Sequence, residues 1–168
     1  MKNLMQSVAI LIMGALFAVA PVNAAQFKGT VVDVKDGDTL KVRDQNGVSF
    51  YVKLSGVDAP ELQQLHGHAA REYLLREIAG HDVDIVFNNI DTSGRVLARI
   101  YLNGVDVNRS LLRKGLAWHT IDDRNNVAGS DYKEYASAEV KARKAGKGLW
   151  NDGMVAVAPW RYRMIVGL

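Results

Sequence analysis

The chain has 168 residues, 48% hydrophobic and 23% charged, with 15 Gly, 3 Pro and no Cys. That length and balance describe one globular domain with at most a tail, and exclude collagenous, low-complexity and wholly disordered chains. The lack of Cys removes disulfide scaffolds, thiolate zinc sites and cysteine nucleophiles, while a net charge of +3 permits a polyanionic partner without demanding one.

In chain order, the first segment reads as an export signal. Met1-Lys2-Asn3 gives a positive start, Ser7 to Ala20 is uncharged and almost wholly apolar, and Pro21 breaks the run. Val22-Asn23-Ala24 then offers small residues for cleavage after Ala24. The apolar run falls short of the roughly 20 residues that a spanning helix needs. The expectation is a signal peptide over 1–24, a domain over 25–150 and a C-terminal tail over 151–168. The mature chain is expected to be exported, periplasmic or secreted, and free of the membrane.

From Phe27 the pattern has period two, with Thr30, Val32 and Val34 alternating with Val31, Asp33 and Lys35. Leu40 and Val42 precede the turn Asp44-Gln45-Asn46-Gly47, after which Val48, Phe50, Val52 and Leu54 share one face. Asn-Gly between alternating runs predicts a hairpin. Gly67 to Ala79 changes period: Ala70, Tyr73, Leu74 and Ile78 fit one helical face, and Gly80 suits the position after its end. Strands are expected near Val83–Phe87 and Val96–Tyr101, with Asn103-Gly104 turning into Val105–Val107. A short helix over Asn108–Lys114 should stop at Gly115. A longer one over Asp131–Ala145 should open on Asp131 and Glu134 at capping-box spacing and stop at Gly146 and Gly148. Strands followed by helices read as a small α+β domain.

Acidic residues bunch where strands end. Asp36-Gly37-Asp38 lies between the first two strands, and Asp58-Ala59-Pro60-Glu61 follows the third. Carboxylates converging on such loops suit a hard divalent cation. On spacing alone, the reading of Asp-Gly and Asp-Ala-Pro as turn formers outweighs that of cation ligands. A calcium EF-hand does not fit, because counting from Asp36 puts Leu40 and Gly47 at ligand positions. Arg95, in the turn after Asp91-Thr92-Ser93-Gly94, can clamp a phosphate through its fork of donors or stand as a solvated turn residue. His66, His68 and His81 lack a further ligand at zinc spacing, and no Gly-x-Ser-x-Gly, Gly-x-Gly-x-x-Gly or Walker loop is present.

Val34-Lys35-Asp36-Gly37-Asp38-Thr39, Leu54-Ser55-Gly56-Val57-Asp58-Ala59-Pro60-Glu61 and Asp91-Thr92-Ser93-Gly94-Arg95-Val96-Leu97-Ala98 resemble the staphylococcal nuclease (thermonuclease) family. The likeness continues through Gly104-Val105-Asp106-Val107-Asn108, Lys114-Gly115-Leu116-Ala117 and Gly146-Lys147-Gly148-Leu149-Trp150, so that it spans roughly 27–150. It implies an OB-fold, a five-stranded Greek-key β-barrel with three α-helices. It also implies a Ca²⁺-dependent phosphodiesterase that acts on DNA and RNA and leaves 3′-phosphates. By the same resemblance Asp38 and Asp58 are carboxylate ligands of calcium, the Ala59 carbonyl is a third ligand, and Asp36 is a nearby acid. Glu61 positions or deprotonates the attacking water, and Arg95 binds the phosphate.

Two departures stand out. The family's first active-site arginine falls on Lys53, which keeps the charge and loses the bidentate fork. The tyrosine before the family's Gly-Arg pair is Ser93 here, leaving Trp118 or Tyr132 as candidate stacking surfaces or packing residues. The expected partners are DNA and RNA, single strands preferred, bound by a monomer. Two other readings compete: a non-catalytic nucleic-acid-binding OB module, and an interaction domain whose acids hold a structural calcium.

Overall fold

The computed structural model describes residues 25–120, 129–151 and 156–168. The expected signal peptide, residues 1–24, lies outside them. In chain order the elements are β1 (Ala25–Val34), β2 (Thr39–Asp44), β3 (Ser49–Leu54), β4 (Val57–Asp58), α1 (Gly67–Ile78), β5 (Asp82–Ile90), β6 (Val96–Leu102) and β7 (Val105–Asp106). α2 (Val107–Lys114), β8 (Trp118–His119), α3 (Gly129–Lys144), a 3₁₀ turn (Gly148–Trp150) and α4 (Pro159–Val166) follow. Among the described residues no helix is long and apolar enough to cross a membrane.

The strand order β3-β2-β1-β5-β6 is closed by parallel pairing of β3 with β6, at Val52 with Val96 through Leu54 with Ala98. This is the five-stranded OB barrel. Closure leaves its long strands without a free edge. The predicted hairpin is β2–β3. The Asp44 carboxylate accepts the Asn46 and Val48 N–H groups at 2.9 and 2.8 Å, and Gly47 takes the left-handed conformation at φ +82°. α1 buries the predicted face, Ala70, Tyr73, Leu74 and Ile78, over the barrel core of Val31, Val42, Val52, Leu54, Ile85 and Ile100.

β1 departs from simple alternation. Its pairing with β2 shifts between Val31 and Asp33, so a bulge reverses parity mid-strand. Val31 and Val34 point inward, while Val32, expected beside Val34, is exposed. Val48 likewise lies before β3 and faces solvent.

The helical half is joined to the barrel through buried polar groups. Fully buried Asn108 donates Nδ2 to the carbonyls of Ser55 (2.9 Å) and Ala98 (3.1 Å), and accepts the Ile100 N–H at 3.1 Å. It thereby ties β3's exit to β6 beside the closure. Asp106 caps α2, accepting the Arg109 N–H at 2.8 Å, and also takes the Tyr135 hydroxyl of α3 at 2.8 Å. α3 starts at Gly129, so Asp131 sits in its first turn and pairs with Arg99 instead of opening a capping box.

The ends of α2 and α3 meet at two glycines. Gly115 (φ +70°) accepts the Leu149 N–H at 2.8 Å. A Cβ on Gly115 would lie 2.1 Å from the Lys147 carbonyl oxygen, and one on Gly148 would lie 2.3 Å from that of Gly115. Only glycine permits this approach. Beside it a second apolar cluster gathers Trp118, Leu149 and Ala158, and into it residues 156–168 bring α4, a helix with no counterpart in the expected three.

Candidate active site

The acidic loops share one wall because small residues let them. Gly37 is pressed between Ala59 and Ala70, where an added Cβ would come within 2.6 Å of both methyls. Asp36 Oδ1 accepts the Asp38 N–H at 3.0 Å, and Asp38 Oδ2 accepts the Ala59 N–H at 2.8 Å. The β1–β2 loop is thus fastened to the chain after β4. Asp58 is fixed from the other side, since β4 pairs with β8 at Asp58 opposite Trp118.

Glu61 sits in a locked turn. Its N–H donates to Gln64 Oε1 and its carbonyl accepts the Gln64 N–H, each at 2.8 Å. The start of α1 crowds the same carbonyl, 2.0 Å from where a Cβ on Gly67 would stand. His66, in left-handed conformation at φ +69°, turns the chain into the helix. These features fix where the Glu61 side chain leaves the backbone.

Lys53 follows from strand parity: Val52 and Leu54 point into the core, so Lys53 points out, beneath the acids. Its ammonium is 2.5 Å from Asp38 Oδ2 and 3.6 Å from Asp58 Oδ1. Burial pushes Lys53 toward deprotonation, but Asp38 and Asp58 outweigh it and hold the ammonium above the ordinary lysine value. Burial likewise pushes Asp38 up, and Lys53 brings it below the usual carboxylate range. Asp36 is raised, first by burial and then by the Asp38 charge.

Arg95 comes from the β5–β6 turn. Asp91 accepts its backbone N–H at 2.9 Å and its Nε–H at 2.7 Å, which braces the guanidinium from behind. Arg95, Lys53, Asp36, Asp38, Asp58, Ala59 and Glu61 all line one cleft of about 610 Å³. Every site residue expected from sequence is therefore brought together.

Sequence reading missed Arg163. It reaches from α4 into the cleft, placing Nη1 and Nη2 on Asp58 Oδ1 and Oδ2 at 3.2 and 2.8 Å, and Nη1 on Glu61 Oε1 at 2.8 Å. The bonds to Asp58 and Glu61 hold its charge more firmly than in a free arginine. A basic residue in the tail was its only signal.

The stacking candidates divide. Trp118 is buried among Trp150 and Trp160, edge to face at 5.2 and 6.5 Å, and is a packing residue. Tyr132 stands edge-on to His119 at 4.5 Å. Ser93 is exposed, its N–H on Asp91. His66, His68 and His81 form no metal group, and among the described residues no three His, Asp or Glu side chains gather in metal-holding geometry.

The remaining donors nonetheless fit a hard cation. Two carboxylates converge on one positive charge, the Lys53 ammonium, and oxygen is the donor type that calcium takes. Side chains supply two of the ligands; backbone carbonyl and water would complete the shell.

The chain is similar to known proteins over most of its length. A protein named as an uncharacterized endonuclease from Escherichia coli is 32% identical over 150 residues, covering 85% of this chain and 89% of the relative. The micrococcal nuclease of Shigella flexneri is 31% identical over 148 residues, 83% of this chain and 82% of its own. The Staphylococcal-like nuclease CAN1 of Arabidopsis thaliana is 35% identical over 114 residues, 68% of this chain and 33% of that longer protein. Residues 51–152, from the barrel's third strand past the glycine contact, match the family described as Staphylococcal nuclease homologue. With this barrel and this cleft, the chain belongs to the staphylococcal nuclease family.

Proposed function

We propose that the protein is an exported, calcium-dependent nuclease that hydrolyses phosphodiester bonds of DNA and RNA and leaves 3′-phosphate ends. The observation that carries this reading is the convergence of Asp38 and Asp58 on one cation, with Glu61 and Arg95 on the walls of the same cleft. Asp38, Asp58 and the Ala59 carbonyl would hold calcium. When bound, the ion supplies positive charge to a non-bridging oxygen of the phosphate.

The protein's own groups do the rest. Glu61 orients a water and takes its proton as the oxygen attacks phosphorus. The bond to the 5′ oxygen breaks, and a proton from solvent completes the 5′ hydroxyl. Arg95, braced by Asp91, clamps the equatorial oxygens whose negative charge grows in the transition state. Lys53 adds charge without a fork, so Arg95 carries most of the geometric clamping. A strand-end cleft admits single strands more readily than rigid duplex, and phosphate contacts make binding weaken with salt.

The test is digestion of single-stranded DNA, GC-rich duplex and RNA in calcium, in magnesium and in chelator. Chelation should abolish cleavage and calcium restore it. Magnesium should support less turnover, because it holds its waters and demands stricter geometry. Single strands should be cut faster than duplex, and the products should carry 3′-phosphates. Full activity in chelator would remove the metal. Binding without hydrolysis in calcium would make the chain a nucleic-acid-binding module.

A further inference from the structure

Three carboxylates, Asp38, Asp58 and Glu61, face two cations, Lys53 and Arg163, across a few ångströms. Asp36 stands behind them on the same cleft. Asp38, Asp58 and Glu61 are each already paired with one of these cations. A divalent ion placed between Asp38 and Asp58 would meet two like charges already paired with its ligands, and one must give way.

The two cations differ in freedom. Lys53 is fixed in mid-strand, paired on one side with Thr39 of β2 and on the other with Leu97 of β6. Arg163 rides on an eight-residue helix. That helix is held on one side by buried Ala158 and Pro159, by Trp160 against Trp118, and by Gln64 Nε2 on the Val157 carbonyl at 3.0 Å. Its other side is open: Met164 is 82% exposed and Ile165 76%. Gln64 also ties α4 to the site, because its Oε1 receives the Glu61 N–H.

Resting on the reading of Asp58 as a calcium ligand, we propose that Arg163 is a built-in competitor for the cation site. It occupies Asp58 and Glu61 until calcium displaces it, so that α4 sets the calcium concentration at which the nuclease becomes active. Both Asp58 oxygens are committed to the guanidinium, and each must release an N–H before it serves an ion at full strength. Displacement also frees Glu61 to face water. Linkage makes the competition reciprocal: whatever α4 takes from calcium affinity, calcium takes from the docking of α4.

The experiment is calorimetric titration of calcium into the full chain without nucleic acid. Arg163→Ala should tighten calcium binding by about 5- to 150-fold, the usual span of coupling between two ligands. Arg163→Lys, which keeps the charge and loses the fork, should fall between Arg163→Ala and the parent, and exposed Arg161→Ala should leave binding unchanged. Hydrogen exchange over residues 158–168 should quicken in the parent when calcium is added. Unchanged or weaker calcium binding in Arg163→Ala overturns the proposal, as does exchange that ignores calcium. Asp58→Asn separates the two layers: calcium binding that survives it overturns the ligand assignment itself, whatever Arg163 does.

Discussion

Asp38 and Asp106 are two acids buried to nearly the same depth, and the protein treats them oppositely. Asp38 meets an ammonium, the Ala59 N–H and the Thr39 hydroxyl, and is held below the usual carboxylate range despite its burial. Asp106 meets an N–H and a tyrosine hydroxyl, both neutral, and burial pushes it above that range. The first acid stays charged and faces a cleft. The second caps a helix and joins α2 to α3. The kind of donor, rather than the depth of burial, separates an acid kept for its charge from one kept for its architecture.

The difference is broken most severely at the arginine that completes the charged region. Arg95→Ala should lower turnover roughly a hundred- to a thousandfold, about 3–4 kcal/mol, with thermal stability near the parent's. Lys53→Ala should cost less, and a Lys53→Ala rate equal to the parent's at saturating calcium and substrate would take Lys53 out of the mechanism. Steady-state rates beside melting curves check both.

At the architectural acid the pattern should invert. Asp106→Ala removes a helix cap and leaves the Tyr135 hydroxyl buried without its acceptor. Together these should cost about 2–3 kcal/mol of stability. Turnover per folded molecule should hold, which urea unfolding alongside single-turnover rates will show. A rate loss larger than the folded fraction explains would join the two regions into one functional unit.

The smallest effect is the sharpest. Asp106 is raised in the fold, so its favourable contribution is complete below the unfolded pKa and is lost as pH rises through the folded one. Asp38 is lowered, so its contribution is present above the unfolded pKa and is lost as pH falls through the folded one. Difference curves of unfolding free energy against pH for Asp106→Asn and Asp38→Asn, in chelator, should slope in opposite directions. Parallel slopes would mean that both acids answer to burial alone.

The parts legible in the sequence were those set by local spacing. The Asn-Gly hairpin, the buried face of α1 and the stop at Gly115 follow from turn chemistry and periodicity acting within a few residues. Lys53 was legible as outward-facing because β3 keeps its alternation. Val32 was not, since a bulge adds a residue without a signature and reverses every later side chain in β1. Arg163 was hidden for another reason. Its partner Asp58 lies 105 residues earlier, and the two meet through long-range docking of α4, by the tryptophan cluster and by Gln64 on the Val157 carbonyl. Trp118 belongs to the same case, a tryptophan whose role depends on what the tail lays over it.

The meeting of Gly115 with Gly148 bears on how membership of the family should be understood. Lys114-Gly115-Leu116-Ala117 and Gly146-Lys147-Gly148-Leu149-Trp150, two of the stretches by which the chain resembles the family, meet at this contact, and neither contributes a residue to the cleft. They record a joint between helices. A descendant that lost Asp38, Asp58 and Glu61 while keeping that joint would still fold as an OB barrel and still be gathered with these nucleases on sequence. Ancestry is written in the glycines and enzymology in the acids, so the two can part company over evolutionary time.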